Sequence, residues 1–331
     1  MAASSNEIVI GIDVGGTNTK FGLVDSAGNI LDEGRIKTTD YTTVELFVDA
    51  LYENVSPLIK KHTDKTVKGI GMGAPNGNFY TGCIDHAPNL PWGKDEVPLA
   101  KLMTDKFDLP CILTNDANAA AAGEMQYGIA KGMQHFIEIT LGTGVGSGIV
   151  VDGKLLYGCN GIAGELGHTI IRPGGRKHWS TGSRGSVEAY CSATGIVITA
   201  KEQLQKKAYP DSKLRQIKVD DITAKVINEC ALQGDKLAQK VYQITGRILG
   251  EALANFVMFS SPQAIVLFGG VIKAGDYLLK PAKKYMELNL LPAFRGRVKL
   301  LLSDLKEADA AILGASSLVQ KSKATRAVHP V

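Results

Sequence analysis

The stretch Glu7–Asp25, EIVIGIDVGGTNTKFGLVD, decides the fold of this chain. Ile and Val dominate its first half, which is typical of a buried strand, and KFGLVD resumes the apolar pattern after the glycines. The segment therefore predicts a β-hairpin. Asp13 stands at the end of the first strand, where an ionised carboxylate is costly unless another group pairs with it.

The turn of this hairpin carries Gly15 and Gly16. Glycines adopt backbone angles that other residues avoid, and without side chains they let backbone N–H groups approach an anion closely. We interpret the turn as a phosphate-binding loop, with Asp13 serving the metal ion that accompanies the phosphate. The alternative is a plain Gly-Gly hairpin turn.

The bulk composition is that of an ordinary globular protein. At 331 residues the chain is long enough for two domains, and no stretch approaches the roughly 20 apolar residues of a membrane span. The start, MAASSNE, lacks the features of a secretion signal, so we expect a cytoplasmic protein without a membrane partner. The net charge of +4 is small and mixed, which argues against a nucleic-acid partner. The 5 cysteines form no CxxC pair and are expected to be reduced.

The rest of the chain alternates strand and helix patterns. Helical spacing is found in residues 42–62, 98–110, 187–205, 235–258 and 309–320, and a strand at 111–114 runs into an alanine-rich helix. Residues 135–155, HFIEITLGTGVGSGIVVDGKL, repeat the strand, glycine loop and strand of the opening segment. A third strand with glycines is AIVLFGGVIKAG at 264–275. The repeat predicts two similar lobes with a ligand between them.

Neither common nucleotide signature fits these loops. A P-loop needs a lysine where Thr17 stands. GIGMGA has the glycine spacing of a Rossmann turn, but Pro75, Asn76 and Gly77 follow where a helix should begin. What remains is a set of three phosphate-sized loops that start at residues 13, 141 and 268.

In this order, the three loops resemble those of the ATPases that include sugar kinases, heat-shock-70 proteins and actin. Within that group the chain resembles the ROK family of sugar kinases, which includes bacterial glucokinases. The motifs that carry the resemblance are DVGGTNTK, GAPNG, APNLPW, TNDANAAAAGE, LGTGVGSG, AGELGH and GSVEAY. The resemblance implies a two-lobed α/β actin-like (ribonuclease H-like) fold with an interlobe cleft. Its small lobe would span 1–118, completed by a C-terminal helix at 308–322, and its large lobe 119–307.

The same resemblance implies the site residues. The sugar hydroxyls would be held by Asn89, Asn115, Asp116, Glu165, His168 and Glu188. The nucleotide would be held by Asp13, Gly15, Gly16, Thr17, Lys20, Thr143, Gly144, Gly146, Gly269 and Gly270. Asp116 would be the general base, and Asp13 would act on Mg²⁺ through water. The expected cofactors are ATP and Mg²⁺, and we also expect a homodimer.

Several of these residues have an ordinary structural interpretation as well. Asp116 precedes an alanine-rich helix and is a good helix N-cap, and Glu188 opens a helix, where the dipole favours an acid. Asn89 and Asn115 are equally typical of turns. Trp92 packs near the sugar or simply anchors its loop.

One segment departs from the family pattern. Many ROK proteins carry CxCGxxGCxE, whose three cysteines bind a structural zinc together with the histidine of the GH motif. Here the segment reads WSTGSRGSVE, with Trp179, Thr181 and Ser186 at the cysteine positions. The remaining candidate ligands, His168, His178 and Cys191, match no zinc spacing, so we expect no structural zinc.

We expect other contacts to stabilise this loop. Trp179 would bury its ring, while Arg176, Lys177 and Arg184 would donate to nearby carbonyls or to Glu188.

The expected activity is ATP- and Mg²⁺-dependent phosphorylation of a hexose, with glucose at O6 as the first choice. Mannose, fructose or an N-acetylhexosamine as substrate, and polyphosphate as donor, are alternatives. A sugar-responsive ROK transcriptional regulator without its DNA-binding domain is an alternative of another class. Only about seven residues precede the first strand, which disfavours it.

Overall fold

The computed structural model describes residues 6–306 and 309–321. Its strands are β1 Glu7–Val14, β2 Asn18–Asp25, β3 Ile30–Lys37, β4 Thr66–Ala74, β5 Cys111–Asn115, β6 Phe136–Leu141, β7 Val145–Val151, β8 Lys154–Leu155, β9 Ala264–Phe268 and β10 Lys299–Leu302. Its α-helices are α1 Val44–Lys61, α2 Leu99–Phe107, α3 Asp116–Gln126, α4 Glu188–Cys191, α5 Ala193–Leu204, α6 Ala224–Leu232, α7 Lys236–Ser260, α8 Asp276–Asn289 and α9 Ala310–Lys321.

The first sheet has the strand order β3-β2-β1-β4-β5. The predicted hairpin is confirmed: β1 and β2 are antiparallel, Asp13 lies opposite Lys20, and the Gly15 N–H donates to the Asn18 carbonyl oxygen at 3.1 Å. Strands β1, β4 and β5 run parallel. Their carboxyl ends therefore meet at one edge of the sheet, which is where open α/β sheets bind their ligands.

Helices cover this sheet with apolar side chains. Phe47 and Leu51 of α1 and Met103 of α2 are 0% exposed and join the strand residues in the main core. Helix α9 packs on β1 and β4. A Cβ atom on Gly71 would clash with the Ala315 carbonyl oxygen of α9. All six residues of GIGMGA lie within β4, so they form a strand and not a Rossmann turn.

The second sheet repeats the topology of the first. Its order is β10-β9-β6-β7-β8, which, read from β8 to β10, corresponds strand for strand to β3-β2-β1-β4-β5. Strand β9 is parallel to both β6 and β10, while β7 and β8 are antiparallel. The internal repeat expected from the two strand–glycine–strand segments is therefore confirmed at the level of strand order.

Contacts between Cα atoms divide the described residues into two compact units. The first unit holds 6–133, 148–164, 304–306 and 309–321, and the second holds 134–147 and 165–303. The lobe boundaries given above, 1–118 and 119–307, stay predictions. Of the expected C-terminal helix 308–322, residues 308 and 322 lie outside the described residues, and α9 occupies Ala310–Lys321. In the described part of the chain, no helix has the length and hydropathy to cross a membrane.

Candidate active site

The first unit brings two of the predicted acids to the carboxyl edge of its sheet. Asp13 is the register partner of Gly73 on β4, and Gly73 in turn pairs with Thr114 on β5. A Cβ atom on Gly73 would lie 3.6 Å from the Cα atom of Asp116, the first residue of α3. Asp13 and Asp116 therefore lie on either side of the same small residue.

The surroundings of both carboxyls raise their pKa above the ordinary value. Burial, and secondarily the negative charge of Asp116, raises the pKa of Asp13 to about 6, against a smaller opposing effect of Lys20. Desolvation by the surrounding protein also raises the pKa of Asp116, and the backbone N–H of Ala117 opposes the shift. The Asp116 side chain nevertheless keeps access to solvent. A substrate hydroxyl can therefore reach this carboxyl.

Asp116 is not the N-cap of α3. That position belongs to Asn115, whose side-chain oxygen accepts from the Asn118 N–H at 2.7 Å. Asp116 Oδ1 accepts from the N–H of its own neighbour Ala117, at 2.9 Å. The capping interpretation of Asp116 is therefore wrong, and Asn115, for which a turn was the structural alternative, ends β5 and caps the helix instead.

The glycine hairpin of the first unit lies against the loop that carries Asn89. A Cβ atom on Gly16 would stand 2.9 Å from the Asn89 carbonyl oxygen and 3.2 Å from its side-chain nitrogen. Asn89 itself is exposed. Trp92 packs its ring on Phe47 with centroids 5.0 Å apart, which anchors the loop in the core.

Thr17 and Lys20 lie on the same hairpin. Thr17 is exposed, and its carbonyl accepts from the Thr38 N–H at 2.8 Å. Lys20 faces Asp13 across the two strands. With Gly15 and Gly16, these residues form a small, polar turn beside two acids, and a divalent cation with its phosphates fits that donor set.

The second glycine hairpin, between β6 and β7, is closed by a glutamate. The Val145 N–H donates to Glu188 Oε2 at 2.6 Å. A Cβ atom on Gly144 would lie 2.6 Å from the same oxygen, so a larger residue there would displace the carboxylate. Thr143, at the tip of the turn, is exposed, and Gly146 follows within β7.

The third glycine loop lies beside the second. Gly269 follows β9 with φ of +100°, and a Cβ atom there would stand 2.5 Å from the Leu141 carbonyl oxygen at the end of β6. Nothing lies within 4 Å of a Cβ built on Gly270. The predicted nucleotide residues of the second unit therefore share one edge of one sheet.

Glu165 and His168 lie on an exposed turn of the second unit. The His168 Nε2 atom is 3.8 Å from Glu165 Oε2. The Leu166 N–H donates to Ser147 Oγ at 3.2 Å, which holds the turn against β7. The six predicted sugar residues thus form two groups: Asn89, Asn115 and Asp116 in the first unit, and Glu165, His168 and Glu188 in the second.

Sequence reasoning missed the role of His178, which it considered only as a zinc ligand. The His178 Nε2 atom lies 2.5 Å from Glu188 Oε1. The ring of His178 also meets the ring of His168 edge-on, at 5.7 Å between centroids. No local pattern could have revealed this contact, because the loop that carries His178 has no regular periodicity.

The loop around His178 is stabilised partly as expected. Arg176 donates to the carbonyl oxygens of Ala189 and Gly195 at 2.5 and 2.9 Å, and Arg184 donates to that of Gly175 at 3.2 Å. One expectation was wrong: Trp179 is 45% exposed and stacks on His178 rather than burying its ring in the core. Of the two alternatives for the basic side chains, the carbonyl contacts are observed for Arg176 and Arg184, while Glu188 contacts His178 and Val145.

The residues of this loop do not fit a zinc site. Both ring nitrogens of His178 are engaged, Nε2 with Glu188 and Nδ1 with the N–H groups of Ser180 and Thr181. Cys191 is 0% exposed, and burial raises the pKa of its thiol to about 12. Across residues 6–306 and 309–321, no three His, Cys, Asp or Glu side chains are grouped so that they could hold a metal ion.

Two copies of one sheet topology, each with a glycine turn at the carboxyl edge of its parallel strands, define an α/β phosphate-binding protein of the actin-like ATPase class. The chain belongs to the ROK family, whose model matches residues 9–322. A glucokinase of Halalkalibacterium halodurans is 37% identical over 96% of this chain and 97% of its own length. A glucokinase of Thermotoga maritima is 33% identical over 95% of this chain and 97% of its own.

A solved structure is similar across the same length. The ROK family glucokinase from Streptomyces griseus, in complex with glucose and AMPPNP, matches with a TM-score of 0.76 at 32% identity, covering 95% of this chain and 99% of that one. These similarities confirm the α/β actin-like fold class and the enzyme class. The chain is an ATP-dependent sugar kinase, and its relatives support a hexose as the sugar.

Proposed function

We propose that this enzyme transfers the γ-phosphoryl group of Mg·ATP to O6 of glucose, with Asp116 as general base. The observation that carries the proposal is the environment of Asp116. Its carboxyl is accessible, has a raised pKa and stands at the carboxyl edge of the parallel strands, while Asn115 caps the helix instead. A base with a raised pKa is better matched to removing a hydroxyl proton near neutral pH.

In the proposed reaction Asp116 accepts the proton of the O6 hydroxyl as the oxygen attacks. The bond from O6 to the γ-phosphorus forms, and the bond from that phosphorus to the β,γ-bridging oxygen breaks, which leaves ADP. Catalysis of this step rests mainly on alignment and on stabilisation of the developing charge. The glycine turns at residues 15–16 and 142–144 would offer backbone N–H groups to phosphate oxygens, and Lys20 would add a positive charge.

Asp13 is proposed to face the metal. When bound, Mg·ATP supplies the transferable phosphoryl group and a cation that neutralises its phosphates. The pKa of the Asp13 carboxyl stands at about 6 because it is desolvated and lies near the negative charge of Asp116, which Lys20 offsets only in part. Arrival of a cation would lower the pKa, which is the behaviour expected of an acid that acts on the metal through its water shell.

The sugar hydroxyls would be held by the residues that the family resemblance implies: Asn89, Asn115, Glu165, His168 and Glu188. Carboxylates accept hydrogen bonds from hydroxyls, and an imidazole either accepts or donates. Glucose is preferred over other hexoses because the curated relatives above are glucokinases and the Streptomyces griseus structure contains glucose. We propose in addition a cytoplasmic homodimer, as the family resemblance implies, without a structural zinc.

A coupled assay tests the function. Purified enzyme is given glucose, mannose, fructose, N-acetylglucosamine or N-acetylmannosamine, with ATP or polyphosphate as donor and with or without Mg²⁺. We expect the highest kcat/KM with glucose and ATP, strict dependence on Mg²⁺, and glucose 6-phosphate as the product by NMR. A higher kcat/KM with another sugar would overturn the substrate, phosphorylation at another hydroxyl would overturn the position, and turnover without a divalent cation would overturn the role of Mg²⁺.

A further inference from the structure

We propose that His178 is a positioning residue that orients Glu188 for the sugar and also closes the turn at 178–181. In this loop it would thereby do what a structural zinc ion could otherwise do. The inference rests on the proposed function, because it assigns Glu188 to the sugar. It concerns a single unit, since His178, Glu188 and Val145 all belong to the second.

His178 is held in one place by its surroundings. It is only 1% exposed, although it lies in an irregular loop. The ring of Trp179 stacks on it with centroids 4.2 Å apart and planes 26° apart. The His178 N–H also donates to the Ser183 carbonyl oxygen at 2.8 Å, and its own carbonyl accepts from the Gly182 N–H at 3.2 Å. Backbone and side chain are therefore both fixed.

The contacts of the two ring nitrogens define the tautomer. Nδ1 lies 3.3 Å from the Ser180 N–H nitrogen and 3.2 Å from that of Thr181, and backbone N–H groups are donors only. Nδ1 must therefore present its lone pair. The ring proton of the neutral imidazole then resides on Nε2, which donates to Glu188 Oε1 at 2.5 Å.

Glu188 is consequently held at both oxygens by donors of the protein. Oε1 receives the His178 Nε2–H, and Oε2 receives the Val145 N–H at 2.6 Å. An ionised carboxylate has about four acceptor sites, so two remain for hydroxyl groups of a ligand. The carboxylate therefore has one orientation and two acceptor sites left for a ligand. This combination favours the selective binding of a sugar over a purely structural contact with His178.

Two substitutions separate the two contacts of His178. The side-chain amide of Asn reaches the position of Nδ1, and that of Gln reaches the position of Nε2. His178→Asn can accept from Ser180 and Thr181 but cannot reach Glu188, whereas His178→Gln can donate to Glu188 but leaves the turn open. Since a hydrogen bond to a charged group contributes about 1.5–3 kcal/mol, we expect His178→Asn to raise the KM for glucose about 10- to 100-fold.

The rest of the kinetic pattern distinguishes positioning from mere support of the fold. For His178→Asn we expect kcat within about threefold of wild type, because the lost contact acts equally on the bound sugar and on the transition state. The Tm should stay near native, because the contacts with Ser180 and Thr181 remain. For His178→Gln we expect a KM within about threefold of wild type and a lowered Tm. The matched control is His62→Asn, which removes a similar histidine–carboxylate contact, 2.7 Å from Nε2 to Asp32 Oδ2. Asp32 pairs with Leu23 on β2, away from the glycine turn at 15–16. This control should leave the KM unchanged.

A second readout does not depend on turnover. In ¹⁵N-labelled wild-type protein, the imidazole of His178, assigned by its absence in His178→Gln, should give the neutral Nε2–H pattern at pH 7.5. An Nδ1–H tautomer or a doubly protonated ring would overturn the inference. So would the same rise in KM and the same fall in Tm in both variants. If the wild type phosphorylated no hexose, the proposed function would fail, while the tautomer would still report on the role of His178.

Discussion

The acids of the two units are held in opposite ways. Asp13 and Asp116 of the first unit both have a raised pKa, and the hydrogen bond found at Asp116 comes from the N–H of its neighbour. Glu188 of the second unit receives a donor at each oxygen. The contrast matches the proposed roles: Asp116 as base and Asp13 beside the metal lie in environments that disfavour the ionised carboxylate, whereas Glu188, proposed to hold the sugar, is fixed by two protein donors. Each prediction below tests this contrast.

The largest expected effect is that of Asp116→Asn. The substitution keeps the size and the polarity of the side chain but removes the base, whose contribution is typically about 10²- to 10⁴-fold in rate. We expect kcat to fall by that factor while sugar binding, measured by calorimetry, stays near its wild-type value. The Tm should not fall, since Asn115 still caps α3 and burial makes the ionised form of Asp116 unfavourable in the folded state.

Asp235→Asn is the matched control for this prediction, because Asp235 is an acid that does cap a helix. It accepts from the Ala238 N–H at 2.9 Å and from Ser212 Oγ at 2.9 and 3.0 Å. This variant should lose stability and keep its kcat. If Asp116→Asn turned over near the wild-type rate, the assignment of Asp116 as base would be wrong.

Asp13→Asn is expected to lower activity by a smaller factor. Carboxylates that act on a metal through other ligands typically contribute 10- to 100-fold, so we expect kcat/KM to fall by about that much. The Mg²⁺ concentration that gives half-maximal rate should also rise. An unchanged Mg²⁺ titration would remove Asp13 from the metal site.

The same variant should be more stable than the wild type when no ligand is bound. The pKa of Asp13 is about 6 in the folded state against 3.8 in the unfolded state, so the folded state holds more protons between these values. The free energy of unfolding therefore falls as pH rises from about 4 to about 6, and the loss persists above pH 6. It amounts to at most about 3 kcal/mol.

Urea denaturation of Asp13→Asn and wild type between pH 4.5 and 7.5 checks this sign. The variant should gain stability over the wild type as pH rises, reaching a constant difference above pH 6, while its activity is reduced. A constant difference across the range would mean that Asp13 is not electrostatically strained.

Arg176→Lys should lower stability and leave activity unchanged. The Arg176 side chain is 9% exposed, donates to two main-chain carbonyls and lies 4.5 Å from the centroid of the Tyr190 ring. Lysine keeps the charge but loses the planar fork, so we expect a loss of about 1–3 kcal/mol in unfolding free energy with kcat unchanged. The matched control, Arg247→Lys, alters an i,i+4 contact with Glu251 in which the arginine side chain is 58% exposed, and it should cost at most about 0.5 kcal/mol.

The sequence predicted the framework well because glycine turns and apolar strands are local signals. The hairpin at Asp13, the repeated strand order and the helices α1, α3 and α7 follow from residue spacing and capping residues. The predicted helix at 187–205 is divided into α4 and α5, because the Ser192 hydroxyl accepts from the Gly195 N–H at 3.0 Å and starts a new helix there. A capping serine inside an apolar helical pattern is a weak signal in the sequence.

The site was less predictable than the framework. Asp13 and Asp116 could be placed at strand ends from the sequence, but their mutual influence depends on the parallel pairing through Gly73, which local patterns do not determine. The contact of His178 with Glu188 spans ten residues of irregular loop, so neither a helical nor a strand period connects them. That neither Asp116 nor Glu188 caps the helix it begins could likewise be decided only from the structure.

The smallest expected effect is that of removing zinc, which we expect to be none. A closed zinc site needs four ligands in tetrahedral array and is usually rich in thiolates. Trp179, Thr181 and Ser186 offer none, both nitrogens of His178 are engaged, and the buried thiol of Cys191 resists ionisation. Elemental analysis of protein purified without added metal should find well under one zinc per chain. EDTA followed by Mg²⁺ should restore full activity, and a zinc-selective chelator should leave the Tm unchanged. Stoichiometric zinc, or a Tm lowered by the chelator, would show that the second unit relies on a metal after all and that the His178 contacts do not replace one.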